Sequence, residues 1–168
     1  MKLPTYMKCI VYGLEVPQMQ TRPTPKSRKG HILVRVEAVG LNPVDAKEVI
    51  GDKLPHNWKY TRSWLRSHVT STKIPGFDFA GTCLEDVPLG GGVMQFTNGE
   101  KVFGTMPPMQ GTLAEFICVP IDQVATMPSS LKFEEAAALP LVGYVFHMCL
   151  YQQPCCHNLI AHIISLKG

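Results

Sequence analysis

The side chains best suited to chemistry are an asparagine and an aspartate that stand beside apolar runs. Asn42 lies in VRVEAVGLNPVDAK (34–47), directly after a run of alternating apolar and polar side chains. Its oxygen can cap the first amides of a helix, or its amide can face a cavity. Asp78 lies between two phenylalanines in IPGFDFAGT (74–82). A carboxylate there needs hydrogen bonds or a raised pKa, so bonding to turn amides at a sheet edge and lining a pocket both remain open.

The element that must position Asn42 is a half-buried strand. Its alternating pattern places Val34, Val36 and Ala38 on one face, and Gly40 ends the pattern. Because the pattern stops two residues before Asn42, the sequence predicts that Asn42 lies at a sharp corner.

A short helix is predicted to follow this corner and to end at Gly51. Pro43 suits the first helical position because it has no N–H group to leave unpaired. Asp45 falls in the first turn, where the helix dipole favours negative charge.

The remaining elements are mostly short strands between turns. The sequence has 14 glycines and 14 prolines, and their spacing favours a β-rich domain. Residues 16–29 are predicted to form a Pro- and Lys-rich connection, and Gly81 a close approach of two backbones inside a strand. Strands are predicted at 7–12, 77–82, 101–104, 111–120, 124–127 and 159–166, and helices at 60–68 and 133–139, where Pro140 ends or kinks the second helix.

Composition limits the class of protein. The 168 residues are 45% hydrophobic and 17% charged, which is typical of one globular domain. A net charge of +3 is too small to indicate nucleic acid. Because there is no signal peptide and no apolar run of about 18 residues, the sequence predicts a cytoplasmic protein with no membrane partner. Reduced, buried thiols are expected at Cys9, Cys83 and Cys118.

Two segments could bind ligands by their composition. Residues 51–73 are basic and hold both tryptophans, so they could bind phosphates or stack bases. We favour an excursion whose tryptophans pack back on the barrel. The glycines at 90–92 lack a following helical pattern, and the G-x-G-x-x-G spacing fails at Gln95, so a hairpin loop is expected.

Five motifs in order resemble a known family. From Leu33 to Gly143 the chain is similar to the N-terminal, GroES-like catalytic domain of the medium-chain dehydrogenase/reductase superfamily. More narrowly, it resembles the zinc-free quinone oxidoreductase and enone reductase branch. This resemblance implies a mainly β fold with short helices (α+β), built as a GroES-like, partly open β-barrel. The motifs are VRVEAVGLNPVDAK (34–47), IPGFDFAGT (74–82), GEKVFG (99–104), GTLAEF (111–116) and LKFEEAAALPLVG (131–143).

The resemblance also implies a reaction. Members of the branch transfer hydride from NADPH to a quinone or an α,β-unsaturated carbonyl compound. Asn42 would line the nicotinamide and substrate site, and Lys47 would stabilise enolate charge or be an ordinary solvated helix residue. Phe77, Asp78 and Met106 would shape the pocket wall. Leu139 to Gly143 would approach the cofactor.

Zinc ligands are not implied. Zinc-dependent members place a Cys at the corner and a His near the second motif, where this chain has the residues Leu41-Asn42-Pro43 and Phe77-Asp78. We therefore expect no metal at this site.

The resemblance ends at a domain boundary. Residues 1–143 are expected to form the GroES-like domain. Residues 144–168 form a divergent tail where the family begins its Rossmann domain, and a truncation, a frameshift or a gene-model error would explain this tail. NADPH is therefore not expected to bind this chain alone. The tail could instead hold a metal through His147, Cys149, Cys155, Cys156, His157 and His162, although adjacent cysteines fit one zinc poorly.

A second class of function remains open. A non-enzymatic GroES-like barrel could bind a protein partner. The surface that would meet the Rossmann domain could also join copies of the chain into a homo-oligomer.

Overall fold

The computed structural model describes residues 3–11, 17–45, 74–90, 93–107 and 110–151. Within these ranges the chain forms nine strands and two α-helices, with a helical turn at 43–45 and a 3-10 turn at Ile121–Gln123. The strands are β1 (Tyr6–Val11), β2 (Gln18–Pro23), β3 (His31–Gly40), β4 (Asp78–Cys83), β5 (Val87–Gly90), β6 (Val93–Phe96), β7 (Lys101–Thr105), β8 (Phe116–Pro120) and β9 (Val124–Thr126). The helices are α1 (Phe133–Ala137) and α2 (Pro140–Tyr151).

A five-stranded antiparallel sheet in the order β8-β3-β4-β7-β9 forms the body of the domain. The pairs β1–β2 and β5–β6 form separate two-stranded sheets, and hydrogen bonds from Lys8 and Ile10 to residues 113–115 flank an isolated bridge between Cys9 and Ala114 that links β1 to the rest. The main sheet curls into a half-barrel. The mainly β fold with short helices and a partly open barrel is therefore confirmed.

Two apolar clusters pack on opposite faces of the sheet. The larger one fills the barrel, and its members include Ile32, Val34, Phe79, Val102, Ile117 and Val119. The smaller one lies under α1 and holds Ala80, Met127, Ala136 and Ala137. Both helices thus contact the outside of the barrel.

The predicted face of β3 is wrong at one residue. Val34 and Val36 belong to the barrel cluster, but Ala38 packs against the cluster under α1. The pairing with β4 shifts between Val36 and Ala38, which is a β-bulge. Because a bulge inserts one residue into a period-two pattern, it moves the following side chains to the other face.

Other strand predictions differ in extent. Residues 18–23 form β2 and not a connection, since their main-chain groups pair with β1 although their side chains are largely exposed. The strand predicted at 111–120 is regular only from Phe116. β5 and β6 pair antiparallel on either side of the predicted hairpin loop, whose residues 91 and 92 lie outside the described residues. The strands at 101–104 and 124–127 are confirmed.

Several predictions about turns and thiols are confirmed. Gly81 permits the predicted close approach, because a Cβ atom there would collide with the main-chain oxygen of Arg35. The first helix after β9 ends before Pro140, which begins α2. Cys9 and Cys83 are buried free thiols, whereas Cys118 is a half-buried one. The helices predicted to reach Gly51 and to span 60–68, and the strand at 159–166, lie outside the described residues.

Candidate active site

The corner after β3 exists because two backbones approach closely. A Cβ atom at Gly40 would collide with the main-chain oxygen of Ala137, so glycine lets α1 pack against the end of the strand. The chain then turns helical at 43–45.

Two reciprocal hydrogen bonds close this turn. The main-chain N–H of Asn42 donates to Oδ2 of Asp45 at 2.6 Å, and the N–H of Asp45 donates to the main-chain oxygen of Asn42 at 3.0 Å. Capping of the turn therefore rests on the Asp45 carboxylate. The side chain of Asn42 is left for another contact.

That contact is made with Asp78. The antiparallel register places Asp78, the first residue of β4, opposite Gly40, the last residue of β3. Across this pair the Nδ2 atom of Asn42 donates to Oδ2 of Asp78 at 2.9 Å. The other oxygen, Oδ1, accepts the main-chain N–H of Leu141 at 3.0 Å. One carboxylate thus joins the corner after β3 to the first turn of α2. The helix dipole favours a negative charge at this end of a helix.

Both carboxyl groups at the corner are withdrawn from water. Asp45 is 3% exposed and Asp78 is 1% exposed. Burial raises the pKa of Asp78, against the lowering by its bonds from Asn42, Leu141 and Thr105, and the nearby charge of Asp45 raises it further. Burial also raises the pKa of Asp45, partly offset by bonds from Asn42 and Gly76. Oδ1 of Asp45 is buried and has no hydrogen-bond partner among the described residues.

A cavity of about 240 Å³ opens between the corner and α2. Its lining is apolar apart from Asn42, and consists of Asn42, Pro43, Val44, Leu141, Val142 and Val145. A cavity of this kind can take a flat apolar group that makes one directional hydrogen bond.

The structure brings together part of the predicted site. Asn42 and Asp78 are in contact. Leu139 and Gly143 lie at the start of α2, where the N–H of Gly143 donates to the main-chain oxygen of Leu139 at 2.7 Å. Both are exposed, so they are open to contact from outside the domain. Lys47 lies outside the described residues.

Phe77 and Met106 are placed differently. The main-chain N–H of Met106 donates to the oxygen of Phe77 at 2.6 Å, and both side chains are buried. Met106 belongs to the barrel cluster and lines a second cavity, of about 350 Å³, with Ile74 and Cys118 among its other walls. Neither residue lines the cavity beside Asn42, and the pocket-wall role remains a prediction for them.

Sequence reasoning missed two participants. Asp45 was expected to be a first-turn helix residue, which it is, but its burial beside a second carboxylate was not anticipated. Leu141 bonds Asp78 through its main-chain N–H, so its residue type carries no signal for this bond. The useful signal is Pro140, because a proline at a first helical position marks the start of a helix whose next amides need acceptors.

The described residues hold neither a cluster of metal ligands nor a helix that could cross a membrane. They contain no group of three or more His, Cys, Asp or Glu side chains that could hold a metal ion. Among the helices described, none combines the length and the apolar character needed to cross a membrane. The proposed metal ligands of the tail lie outside the described residues, except for His147 and the main chain of Cys149.

Comparisons with known proteins agree with the fold. Residues 28–129 match the family described as the alcohol dehydrogenase GroES-like domain. A 2-methylene-furan-3-one reductase of Solanum lycopersicum is 32% identical over 151 residues, which cover 83% of this chain and 35% of that protein. An NADPH-dependent alkenal/one oxidoreductase of Arabidopsis thaliana is 31% identical, with 83% and 36% covered. The solved quinone oxidoreductase of Coxiella burnetii is 31% identical, with a TM-score of 0.65 and 88% and 45% covered.

The barrel and its matches define the class of protein, which is a GroES-like domain of an oxidoreductase family. The chain belongs to the alcohol dehydrogenase GroES-like domain family, in the quinone oxidoreductase and enone reductase branch of the medium-chain dehydrogenases/reductases. It spans about a third of the length of the two curated relatives.

Proposed function

We propose that this domain supplies the substrate side of the active site of a zinc-independent, NADPH-dependent oxidoreductase. The substrates would be quinones or α,β-unsaturated carbonyl compounds, which are the chemistry in the names of the matched reductases. The observation that carries the proposal is the Asn42 amide, held at 2.9 Å by the buried Asp78 at the wall of an apolar cavity.

The residues of this cavity fit a nicotinamide or an enone by their chemistry. NADPH, when bound, supplies the hydride. The side chains of Val44, Leu141 and Val142 keep water from the reacting groups. Asn42 orients one polar group of the ligand, and the exposed Leu139 and Gly143 approach the cofactor from the start of α2. Lys47 would stabilise enolate charge as it forms.

The domain boundary is also part of the proposal. We propose that residues 1–143 form the GroES-like domain and that residues 144–168 diverge from the family where its Rossmann domain begins. In the structure α2 continues across residue 143 as far as Tyr151. We propose that the GroES-like domain needs a coenzyme-binding domain to become active.

Titration with NADPH tests this point. The purified chain is expected to leave the nicotinamide fluorescence unchanged, whereas a full-length alkenal reductase, used as the control, should change it. Micromolar binding by the chain alone, with turnover of a quinone, would contradict the proposal that the GroES-like domain needs a coenzyme-binding domain.

A second candidate function is supported by the surface of α2. Val142, Tyr144, Val145 and Phe146 are between 53% and 62% exposed. Val142, Val145 and Phe146 are three and four residues apart on the helix, so they form an apolar face that can bind another protein or a second copy of the chain. Size-exclusion chromatography separates the possibilities: a defined oligomer supports the binding role, and material in the void volume supports a domain deprived of its partner domain.

A further inference from the structure

We propose that Asp78 is a positioning residue that fixes which end of the Asn42 amide faces the ligand, so that Asn42 presents its carbonyl oxygen and acts as a hydrogen-bond acceptor. This inference rests on the proposed function only in assuming that the cavity beside Asn42 receives a ligand. The orientation itself is a property of the empty domain and can be measured without any ligand.

The argument starts from the carboxylate. An ionised carboxylate offers only acceptors, and an asparagine amide has two donor hydrogens on nitrogen and acceptor lone pairs on oxygen. Oδ2 of Asp78 lies 2.9 Å from Nδ2 of Asn42, while Oδ1 accepts the N–H of Leu141. Rotating the amide by half a turn would bring two oxygen atoms together. Because Asp78 is 1% exposed, water cannot intervene to relieve that contact.

Asp45 acts in the same direction. Its carboxylate is bonded to the main-chain N–H of Asn42 at 2.6 Å and lies in the helical turn that follows Asn42, whereas Asp78 lies on β4. Because Asp45 is a second negative group close to the Asn42 amide, it also favours the orientation in which Nδ2 points toward the two carboxylates. No described residue donates to the Oδ1 atom of Asn42, which leaves that oxygen for the cavity.

This polarity restricts the chemistry of Asn42. It can accept a hydrogen bond from an N–H or O–H group of a ligand, such as the primary carboxamide of nicotinamide. We expect it not to donate to the carbonyl oxygen of an enone, because one of its two N–H groups is bonded to Asp78 and its side chain also bonds Asp45. The group that polarises the substrate must therefore be another residue.

The same carboxylate ties this polarity to α2. Leu141 is held through its main-chain N–H, so the orientation of Asn42 and the position of the first turn of α2 depend on one side chain. A shift of α2 that breaks the bond to Leu141 would also loosen the amide of Asn42.

Nuclear magnetic resonance of the 15N,13C-labelled 168-residue chain tests the inference. We expect a scalar coupling through the hydrogen bond between Nδ2 of Asn42 and the carboxyl carbon of Asp78, and slow solvent exchange of the bonded amide proton. Absence of the coupling, with fast exchange of both amide protons, would overturn the inference. This measurement requires no variant, so a variant that fails to fold does not remove the test.

The Asp78→Asn variant makes the test sharper. It keeps one acceptor for Leu141 but presents a donor to Asn42, so we expect the amide of Asn42 to turn over. The coupling should then run from the new side-chain nitrogen to Cγ of Asn42. An unchanged direction of the coupling would contradict the positioning role. The control is Asp86→Asn, since among the described residues Asp86 bonds the N–H of Asn98 and does not contact the corner.

Two probes separate this inference from the proposed function. Nicotinamide carries a donor, and 2-cyclohexenone carries only an acceptor. We expect nicotinamide, and not cyclohexenone, to shift the side-chain signals of Asn42 in the unsubstituted chain at high probe concentration, where binding too weak for the NADPH titration is detected, and the preference to reverse in Asp78→Asn. If the coupling is present and neither probe shifts Asn42, the positioning role stands and the proposed ligand site is wrong.

Discussion

At the scale of single residues, the site is defined by hydrogen-bond polarity more than by residue type. Asn42, Asp45 and Asp78 are all short polar side chains, and each meets the others through a specific donor or acceptor. Two carboxylates within one buried network are tolerated because Asn42, Leu141 and Gly76 supply N–H donors to them. One acceptor stays unsatisfied, because Oδ1 of Asp45 has no hydrogen-bond partner in the part of the chain that the structure describes.

The first prediction concerns Asp45→Asn and its dependence on pH. Burial raises the pKa of Asp45 in the folded state, so the stability that this group contributes is present below the ordinary carboxyl pKa and is lost as pH rises through the folded pKa. The variant cannot ionise there. Its free energy of unfolding, compared with that of the unsubstituted chain, should therefore increase between pH 4 and pH 8.

Urea denaturation at a series of pH values measures this difference. The matched control is Asp122→Asn, because Asp122 is exposed in the 3-10 turn. Identical pH profiles for Asp45→Asn and the unsubstituted chain would contradict the prediction, because they would show that ionisation of the buried Asp45 carboxyl group does not lower the free energy of unfolding.

The second prediction concerns Met106. Its side chain is 3% exposed within the barrel cluster, so Met106→Ala should lower the free energy of unfolding by about 2–5 kcal/mol. Met106→Leu conserves volume and should lower it by less than about 1.5 kcal/mol. Met94, 51% exposed on β6, is the control, and its change to alanine should stay within about 0.5 kcal/mol. A small effect of Met106→Ala would favour a pocket wall over a core position.

At the scale of elements, the sequence predicted the corner better than the strand that leads to it. The end of β3 and the helical turn could be predicted from a few residues, because the types of Gly40, Pro43 and Asp45 each favour a particular local conformation. The bulge in β3 could not, because it depends on which residues of β4 pair with it, 40 or more positions away. For the same reason Asn42 could be chosen as a site residue, whereas its bond to Asp78 required the register of the sheet.

The third prediction tests the close approach of β3 to α1. Gly40→Ala places a methyl group against the main-chain oxygen of Ala137, and a main-chain atom cannot rotate away. We expect a loss of about 1–3 kcal/mol in the free energy of unfolding, as for overpacked cores.

Gly143→Ala provides the matched control for this substitution. A Cβ atom at Gly143 meets nothing within 4 Å, and Gly143 lies in α2. Alanine there should stabilise the chain by about 0.5–1 kcal/mol, because glycine is a poor helix former. Equal effects of the two changes would mean that the corner can relax.

At the scale of the whole molecule, the order of the motifs identified the family, and no single motif would have been sufficient. The fold followed from the family more securely than from strand patterns, which missed β2 and did not predict α2. β2 escaped notice because its side chains are largely exposed and give no apolar alternation. α2 escaped because it follows a proline and its first residues were interpreted only as a cofactor contact.

The fourth prediction concerns association of the whole chain through α2. Val142 and Phe146, which are 61% and 62% exposed, lie four residues apart on the helix. Replacing both with glutamine removes apolar surface while keeping good helix formers and the net charge. Sedimentation velocity should show less self-association for this double variant than for the unsubstituted chain.

Leu89→Gln is the control for this experiment. Leu89 is 65% exposed on β5, away from α2, so its replacement should leave the association unchanged. Equal effects of the control and the double variant would show that association does not depend on the surface of α2.

The pairing of β3 has a consequence for how the protein is made. Its two neighbours, β4 and β8, are translated after it, and β8 begins only at Phe116. At about 5–20 residues per second, a ribosome needs on the order of ten seconds to reach β8 after it completes β3. Throughout that interval one edge of β3, a strand rich in valine, stays unpaired. Chaperone binding during synthesis should therefore concentrate on chains that end before residue 116.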